Sequence, residues 1–252
     1  SETRFMSSLG ETALPPSIDR LYVINLEDRT DRRRDMVSEL ERIGWQADSP
    51  DVEFFAAIKP DSADTFPSIG ARGCFLSHLG VLRDARRREL QTFLILEDDA
   101  AFTAECRAHL GAVLAGLDTA DWAIAYLGHR IDPEDLPGPA AARGVHWRAL
   151  PSETRVETTH AMLIHQCAAG PLIDYLERMM TRPAGHPEGG PMQVDGAYNW
   201  FRRDHPEFPT LVTPRQYVVQ RASKSDIAPP SLKDRVPFIG IFRSLRNYLS
   251  RH

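Results

Sequence analysis

Apolar residues along this chain fall into short unbroken runs separated by longer stretches in which they recur every three or four positions, the pattern of buried strands joined by one-sided helices. The first run is Leu21-Tyr-Val-Ile-Asn25. Over residues 34–43, Met36, Val37, Leu40 and Ile43 return at helical spacing, and Gly44 is placed to close that helix. A second strand is predicted over 52–57. A helix follows over about 71–89, with Cys74, Phe75, His78, Leu79, Leu82 and Ala85 along one side, and then a third strand over 93–96. This β-α-β-α-β order predicts an α/β fold, a mostly parallel sheet flanked by helices, with right-handed crossovers and a crevice at the strand ends.

The same reading continues with a helix over 104–117, a buried strand over 122–127, a strand over 159–165 and a helix over 168–181 that turns Leu172, Ile173, Leu176 and Met179/Met180 inward. Residues 129–145, rich in proline, glycine and acids, read as a surface loop or lid. A second Pro/Gly segment over 182–191 precedes Val194-Asp195-Gly196 and a short helix that runs through Arg202. Residues 1–17 lack periodicity and read as a loose leader, so the fold is expected to begin at Ile18 and to run as one domain to Pro230.

Composition narrows the function classes. With 30 basic and 35 acidic residues among 252, the net charge of −5 argues against a nucleic-acid surface. Cys74, Cys106 and Cys167 are far apart and form no CxxC pair, which excludes a disulfide framework or zinc knuckle and points to a reducing cytoplasm. No apolar run is long enough to span a bilayer, and no signal-peptide pattern opens the sequence.

Candidate chemistry concentrates where strands end. Thr92-Phe-Leu-Ile-Leu runs directly into Glu97, Asp98 and Asp99, and three adjacent carboxylates repel one another unless a cation or donors hold them. Hard oxygen ligands at a sheet rim suit Mg²⁺ or Mn²⁺ bridging to phosphates; a solvated acidic turn is the bland alternative. Asn25 ends the first strand with an amide that needs partners. Beyond it, Arg29 and Arg32 either fork onto phosphate or pair with Asp28 and Asp31, with Thr30 or Asp31 as helix N-cap. Gly70 and Gly73 flank the start of the 71–89 helix, an anion-friendly position. Ser77 and His78 lie a turn further on, where a core role for His78 competes with ligand contact. Asp195 is either an N-cap or a general base, with His160 and His165 as alternative bases.

Four blocks in order, Val23–Arg33, Gly70–His78, Leu94–Asp99 and Gln220–Ile227, together resemble the family 25 glycosyltransferases, which include bacterial lipooligosaccharide galactosyltransferases and collagen galactosyltransferases. The resemblance implies a GT-A type, Rossmann-like fold, a UDP-sugar donor with galactose favoured, a Mn²⁺ or Mg²⁺ ion, inversion at the anomeric carbon, and a glycan or lipid-linked acceptor. It implies that the triplet is the metal motif in a Glu-Asp-Asp form. Asp99, with Glu97, then holds the metal, and Glu97 or Asp98 meets the ribose or a metal-bound water. Asn25, Arg29, Arg32, Ser77 and His78 are its other donor-side positions. The last block supplies Ser225 and Asp226, with Lys224 beside the leaving group, and Asp195 matches the acidic residue on the acceptor side, the expected base. A phosphoryl-transfer enzyme and a non-catalytic nucleotide-sugar binder are the competing readings.

Residues 231–252 carry Ile241, Leu245, Tyr248 and Leu249 on one face, edged by Arg243, Arg246 and Arg251. Such a basic amphipathic tail suits the inner face of an anionic membrane, or packing on its own domain or on a second subunit as a homodimer.

Overall fold

In the computed structural model, residues 14–138 and 146–221 are described. The expectations placed on residues 139–145, on Lys224, Ser225 and Asp226, and on the 231–252 tail lie outside them. So does most of the leader, although Leu14 is buried in the core.

Alternation divides each central strand between two cores. In Arg20–Asn25 (β1), Tyr22 and Ile24 enter one apolar cluster, while Leu21 and Val23 enter the other. After β1 come Thr30–Arg42 (α1), Val52–Ala56 (β2), Ile69–Arg87 (α2), Thr92–Glu97 (β3), Ala100–Phe102 (β4), Ala104–Ala115 (α3) and Ile124–Gly128 (β5). Arg148–Leu150 (β6), Ala161–His165 (β7), Gln166–Thr181 (α4), Val194–Asp204 (α5), Thr210–Val212 (β8) and Val218–Gln220 (β9) complete the order. Helices α2, α4 and α5 pack on the first cluster; α1 and α3 pack on the second. Among the described residues, no helix is long and apolar enough to cross a membrane.

The main sheet has the order β2-β1-β3-β7-β5-β8-β6. Strands β2, β1, β3, β5 and β8 run one way, and β7 and β6 run against them. The mostly parallel α/β sheet expected from the sequence is therefore interrupted at its centre by β7, which returns antiparallel between β3 and β5. Strands β4 and β9 form a separate antiparallel pair beside the acidic turn. Gly128 sits where β5 shifts register against β7, and a Cβ there would fall on the His160 ring and the Val218 carbonyl.

Candidate active site

The order β2-β1-β3 places the chain's reversal point between β1 and β3, whose carboxyl ends lie side by side with Ile24 opposite Glu97. A cleft of about 520 Å³ opens there. Arg32, Gly73, Cys74, Ser77, Arg130 and Arg221 line it together with the three acids.

The three carboxylates have different partners. Asp98 is buried and accepts from Asn25 Nδ2 at 2.9 Å and from Arg32 Nη1 at 2.7 Å. Through Asn25 and Arg32 it therefore knots the end of β1, the first turn of α1 and the end of β3 together. Glu97 accepts from Thr159 Oγ1 at 2.6 Å and lies 3.5 Å from His78 Nε2. Burial pushes its carboxyl up, but His78 and the Thr159 hydroxyl outweigh burial and hold it below the ordinary value.

Asp99 is the carboxylate left wanting. Gln220 Nε2 donates to one of its oxygens at 3.0 Å, and the other oxygen is buried with no hydrogen-bond partner. Burial and the charge of Glu97 outweigh the Gln220 bond and raise the carboxyl to about 6. A buried oxygen without a donor, on a carboxylate next to the Glu97 charge, fits a hard divalent cation, with Asp99 as its first ligand and Glu97 as the neighbouring one.

The first helices depart from expectation in detail. Helix α1 begins at Thr30 with Arg29 at the cap position and no side-chain cap, so neither Thr30 nor Asp31 is the N-cap. Arg29 turns onto Asp31 through two bonds of 2.9 and 2.8 Å, holding that carboxyl well below its usual range, while Asp28 pairs with Lys59 at 2.8 Å. Helix α2 begins at Ile69, capped by Ser68 accepting from the Ala71 N–H at 3.0 Å, which puts Gly70 and Gly73 inside its opening turns rather than flanking them. Gly73 has no space for a side chain, since a Cβ would lie 2.7 Å from the Ile58 carbonyl oxygen. Ser77 donates to that glycine's carbonyl at 2.7 Å and accepts from the Ile58 N–H at 2.8 Å, fastening α2 to the segment after β2. His78 is fully buried, with Nδ1 3.4 Å from the Tyr198 hydroxyl.

A smaller compartment of about 210 Å³ adjoins the cleft, lined by Glu157, Thr158, Thr159, Gln193 and Asp195. Cys74, Glu97, Arg130 and Gln220 line both and form their common wall. Asp195 is the second residue of α5, behind Gln193 at the cap, so it is not the N-cap. One of its oxygens accepts from the Gly196 N–H at 2.8 Å. Burial raises its pKa, with Glu97 and Glu157 adding to the rise and the Gly196 N–H and Arg155 opposing it.

The segment facing Asp195 is clamped by buried Arg202, which donates to the Thr154 and Pro151 carbonyls at 2.8 Å each and to Thr210 Oγ1 at 3.0 Å. Asn199 adds two bonds to the Val156 backbone. The two histidines considered as bases are occupied elsewhere. His160 Nε2 lies 3.1 Å from the Val218 carbonyl, with burial lowering its pKa, and His165 caps α4 by accepting from the Cys167 N–H.

Sequence reasoning passed over Cys74, Arg130, Gln220 and Thr159 as site residues, and counted Arg221 only among the cations of the last block. Gln220 and Arg221 stood in one of the motif blocks, which was the available signal. Arg221 donates to the Asp98 carbonyl at 2.9 Å and pairs with Asp35 at 3.0 Å. Arg130 lay in a stretch legible only as loop.

Comparison with known proteins agrees with the first three motif blocks. Residues 18–134 match the family described as "Glycosyltransferase family 25 (LPS biosynthesis protein)". A "Glycosyltransferase 25 family member" of Anopheles gambiae is 31% identical over 156 residues, covering 53% of this chain and 25% of that protein. "Procollagen galactosyltransferase 1-A" of Xenopus laevis is 28% identical over 144 residues, 49% of this chain and 24% of that protein. The human "Inactive glycosyltransferase 25 family member 3" is 29% identical over 154 residues, 51% and 26%. The chain thus spans about a quarter of the length of these relatives. A solved glycosyltransferase involved in glycosylation of the major capsid of PBCV-1 superposes with a TM-score of 0.45 at 10% identity, covering 82% of this chain and 93% of that one. The acid-tipped β3, the Asn25 end of β1 and the α2 opening all lie inside residues 18–134, the stretch that matches the glycosyltransferase family 25 domain.

Proposed function

We propose that this protein is a metal-dependent, inverting glycosyltransferase that moves a hexose, galactose by preference, from a UDP-sugar to a hydroxyl of a glycan or lipid-linked acceptor. One observation carries the reading: two compartments share a wall, with the Asp99 carboxylate on one side and the desolvated Asp195 carboxylate on the other. A nucleotide-sugar binder needs only the first compartment. Galactose as the transferred sugar follows the names of the procollagen galactosyltransferase relatives.

In this account the diphosphate of the donor lies in the larger cleft, where Arg32, Arg130 and Arg221 supply positive charge. Asp99 and Glu97 would hold the divalent cation, which when bound neutralises charge on the departing diphosphate. The acceptor hydroxyl enters beside Asp195 and gives its proton to that carboxylate as its oxygen bonds to the sugar's anomeric carbon. The bond from that carbon to the diphosphate oxygen breaks on the opposite face, inverting the configuration. Burial raises the pKa of Asp195, which makes it a stronger base than an exposed aspartate.

The direct test is UDP release from UDP-galactose, UDP-glucose and UDP-N-acetylglucosamine, with Mn²⁺ or with chelator. Cation-dependent release, fastest with UDP-galactose, is expected. Release from none of the three, or release indifferent to chelator, would overturn the reading.

A further inference from the structure

Behind the common wall of the two compartments, Cys74 and His78 stand one helical turn apart on α2, on the side that faces the end of β3. The Cys74 sulfur, a ring nitrogen of His78 and a carboxylate oxygen of Glu97 all lie within 4.8 Å of one another. His78 Nε2 is fully buried and has no hydrogen-bond partner, although a carboxylate oxygen lies 3.5 Å away. An orphaned buried nitrogen aimed at a carboxylate needs either a proton or a cation between them.

The surroundings are those of a coordinated imidazole. The other ring nitrogen, Nδ1, faces the Tyr198 hydroxyl at 3.4 Å, and Glu97 is steadied by the Thr159 hydroxyl at 2.6 Å. Second partners of this kind orient metal-bound histidines and carboxylates. Tetrahedral zinc, with bonds of about 2.0–2.3 Å, sets its ligand atoms about 3.3–3.6 Å apart. The histidine and glutamate already meet that spacing, and the cysteine needs a shift of about 1 Å. A sulfur, an imidazole nitrogen and a carboxylate oxygen form a borderline-soft set that selects Zn²⁺ or Co²⁺ over Mg²⁺.

We infer that Cys74, His78 and Glu97 form a three-ligand site for a thiophilic divalent ion of the Zn²⁺ class, with its fourth position open to the wall between the compartments. The site is distinct from the hard-cation position at Asp99 and stands whether or not sugar transfer is confirmed. On binding, the Cys74 thiol releases its proton to solvent and its sulfur bonds to the ion, with no change of oxidation state. Because Glu97 is drawn onto this ion, a filled site competes with the hard cation for that carboxylate.

The test uses the full chain, freed of metal and titrated with Co²⁺, whose bond to a thiolate gives a charge-transfer band in the near ultraviolet. Wild type should show that band with one Co²⁺ per chain, and Zn²⁺ should abolish it. Cys74→Ser, which replaces a half-buried side chain with one of the same shape, should remove the band and weaken Co²⁺ binding by tenfold or more with its melting temperature little changed. Asp99→Asn should keep the band. Absence of the band in wild type would mean that a proton alone bridges His78 and Glu97. A band that survives Cys74→Ser, or that vanishes in Cys167→Ser, would place the ion elsewhere; each of these results overturns the site.

Discussion

Replacing Asp99 by Asn should make the metal-free protein more stable and the metal-loaded protein less so. The carboxyl is raised from 3.8 to about 6 by burial and by Glu97. At about 1.4 kcal/mol per pH unit, keeping it ionised costs the fold (6 − 3.8) × 1.4, roughly 3 kcal/mol, and screening of a partly exposed side chain trims this to about 2–3 kcal/mol. The folded carboxyl binds its proton more tightly than the unfolded one, so its contribution is fully present below about pH 4 and is lost as the pH climbs through about 6. Asparagine still accepts from Gln220 and carries no charge.

In chelator at pH 8, Asp99→Asn should therefore melt roughly 5–10 °C above wild type, at about 2–4 °C per kcal/mol for a chain of this size. At pH 4 the two should converge. Adding Mn²⁺ at pH 8 should raise the wild-type melting temperature by ligand linkage and leave the variant nearly unmoved. Calorimetry at the two pH values, with and without Mn²⁺, reads all three effects. A variant less stable than wild type in chelator at pH 8, or one that gains as much from Mn²⁺, would refute both the strain at Asp99 and its role as a ligand.

Arg32→Ala should destabilise the fold by about 2 kcal/mol or more, because it strands the buried Asp98 carboxylate on Asn25 alone; urea unfolding measures it, and a loss under about 0.5 kcal/mol would contradict the knot. Gly128→Ala should cost about 2–3 kcal/mol by pressing a methyl group onto His160 and the Val218 carbonyl, with a lowered urea midpoint at unchanged slope. If the base is Asp195, the acid limb of the pH–rate profile should report a carboxyl above the ordinary aspartate value, with transfer falling as pH drops through it.

The strands that sit in the middle of the sheet were the legible ones, because burial on both faces leaves unbroken apolar runs at 21–24 and 93–96. Helix α1 starts four residues before its apolar period does, since Thr30–Arg33 are all polar, Arg32 reaching Asp98 and the others exposed, and carry no hydrophobic signal. Strands β4, β6, β8 and β9 are three residues each and exist through partners far away in sequence, such as Phe102 against Val218, so local pattern could not reveal them. The antiparallel entry of β7 has the same cause: a buried strand reads identically in either direction. At the site, the triplet was visible as a cluster, but the division of labour within it was not. Asn25 and Arg32 lie 73 and 66 residues from Asp98, and only the fold shows that they bond to it. Asp195 was singled out through the family resemblance; it is not the N-cap because helix α5 starts two residues earlier than such a cap would require, at Val194.

The central claim is that the acids at the end of β3 and Asp195 serve one reaction across a common wall, and Asp195→Asn tests it most directly. Single-turnover transfer with saturating UDP-galactose and Mn²⁺, measured beside UDP affinity by calorimetry, separates chemistry from donor binding. The account predicts donor affinity within a few-fold of wild type and transfer slowed by about 10²-fold or more, the scale of a lost general base. Transfer within a few-fold of wild type, or loss of donor binding in parallel with transfer, would contradict it.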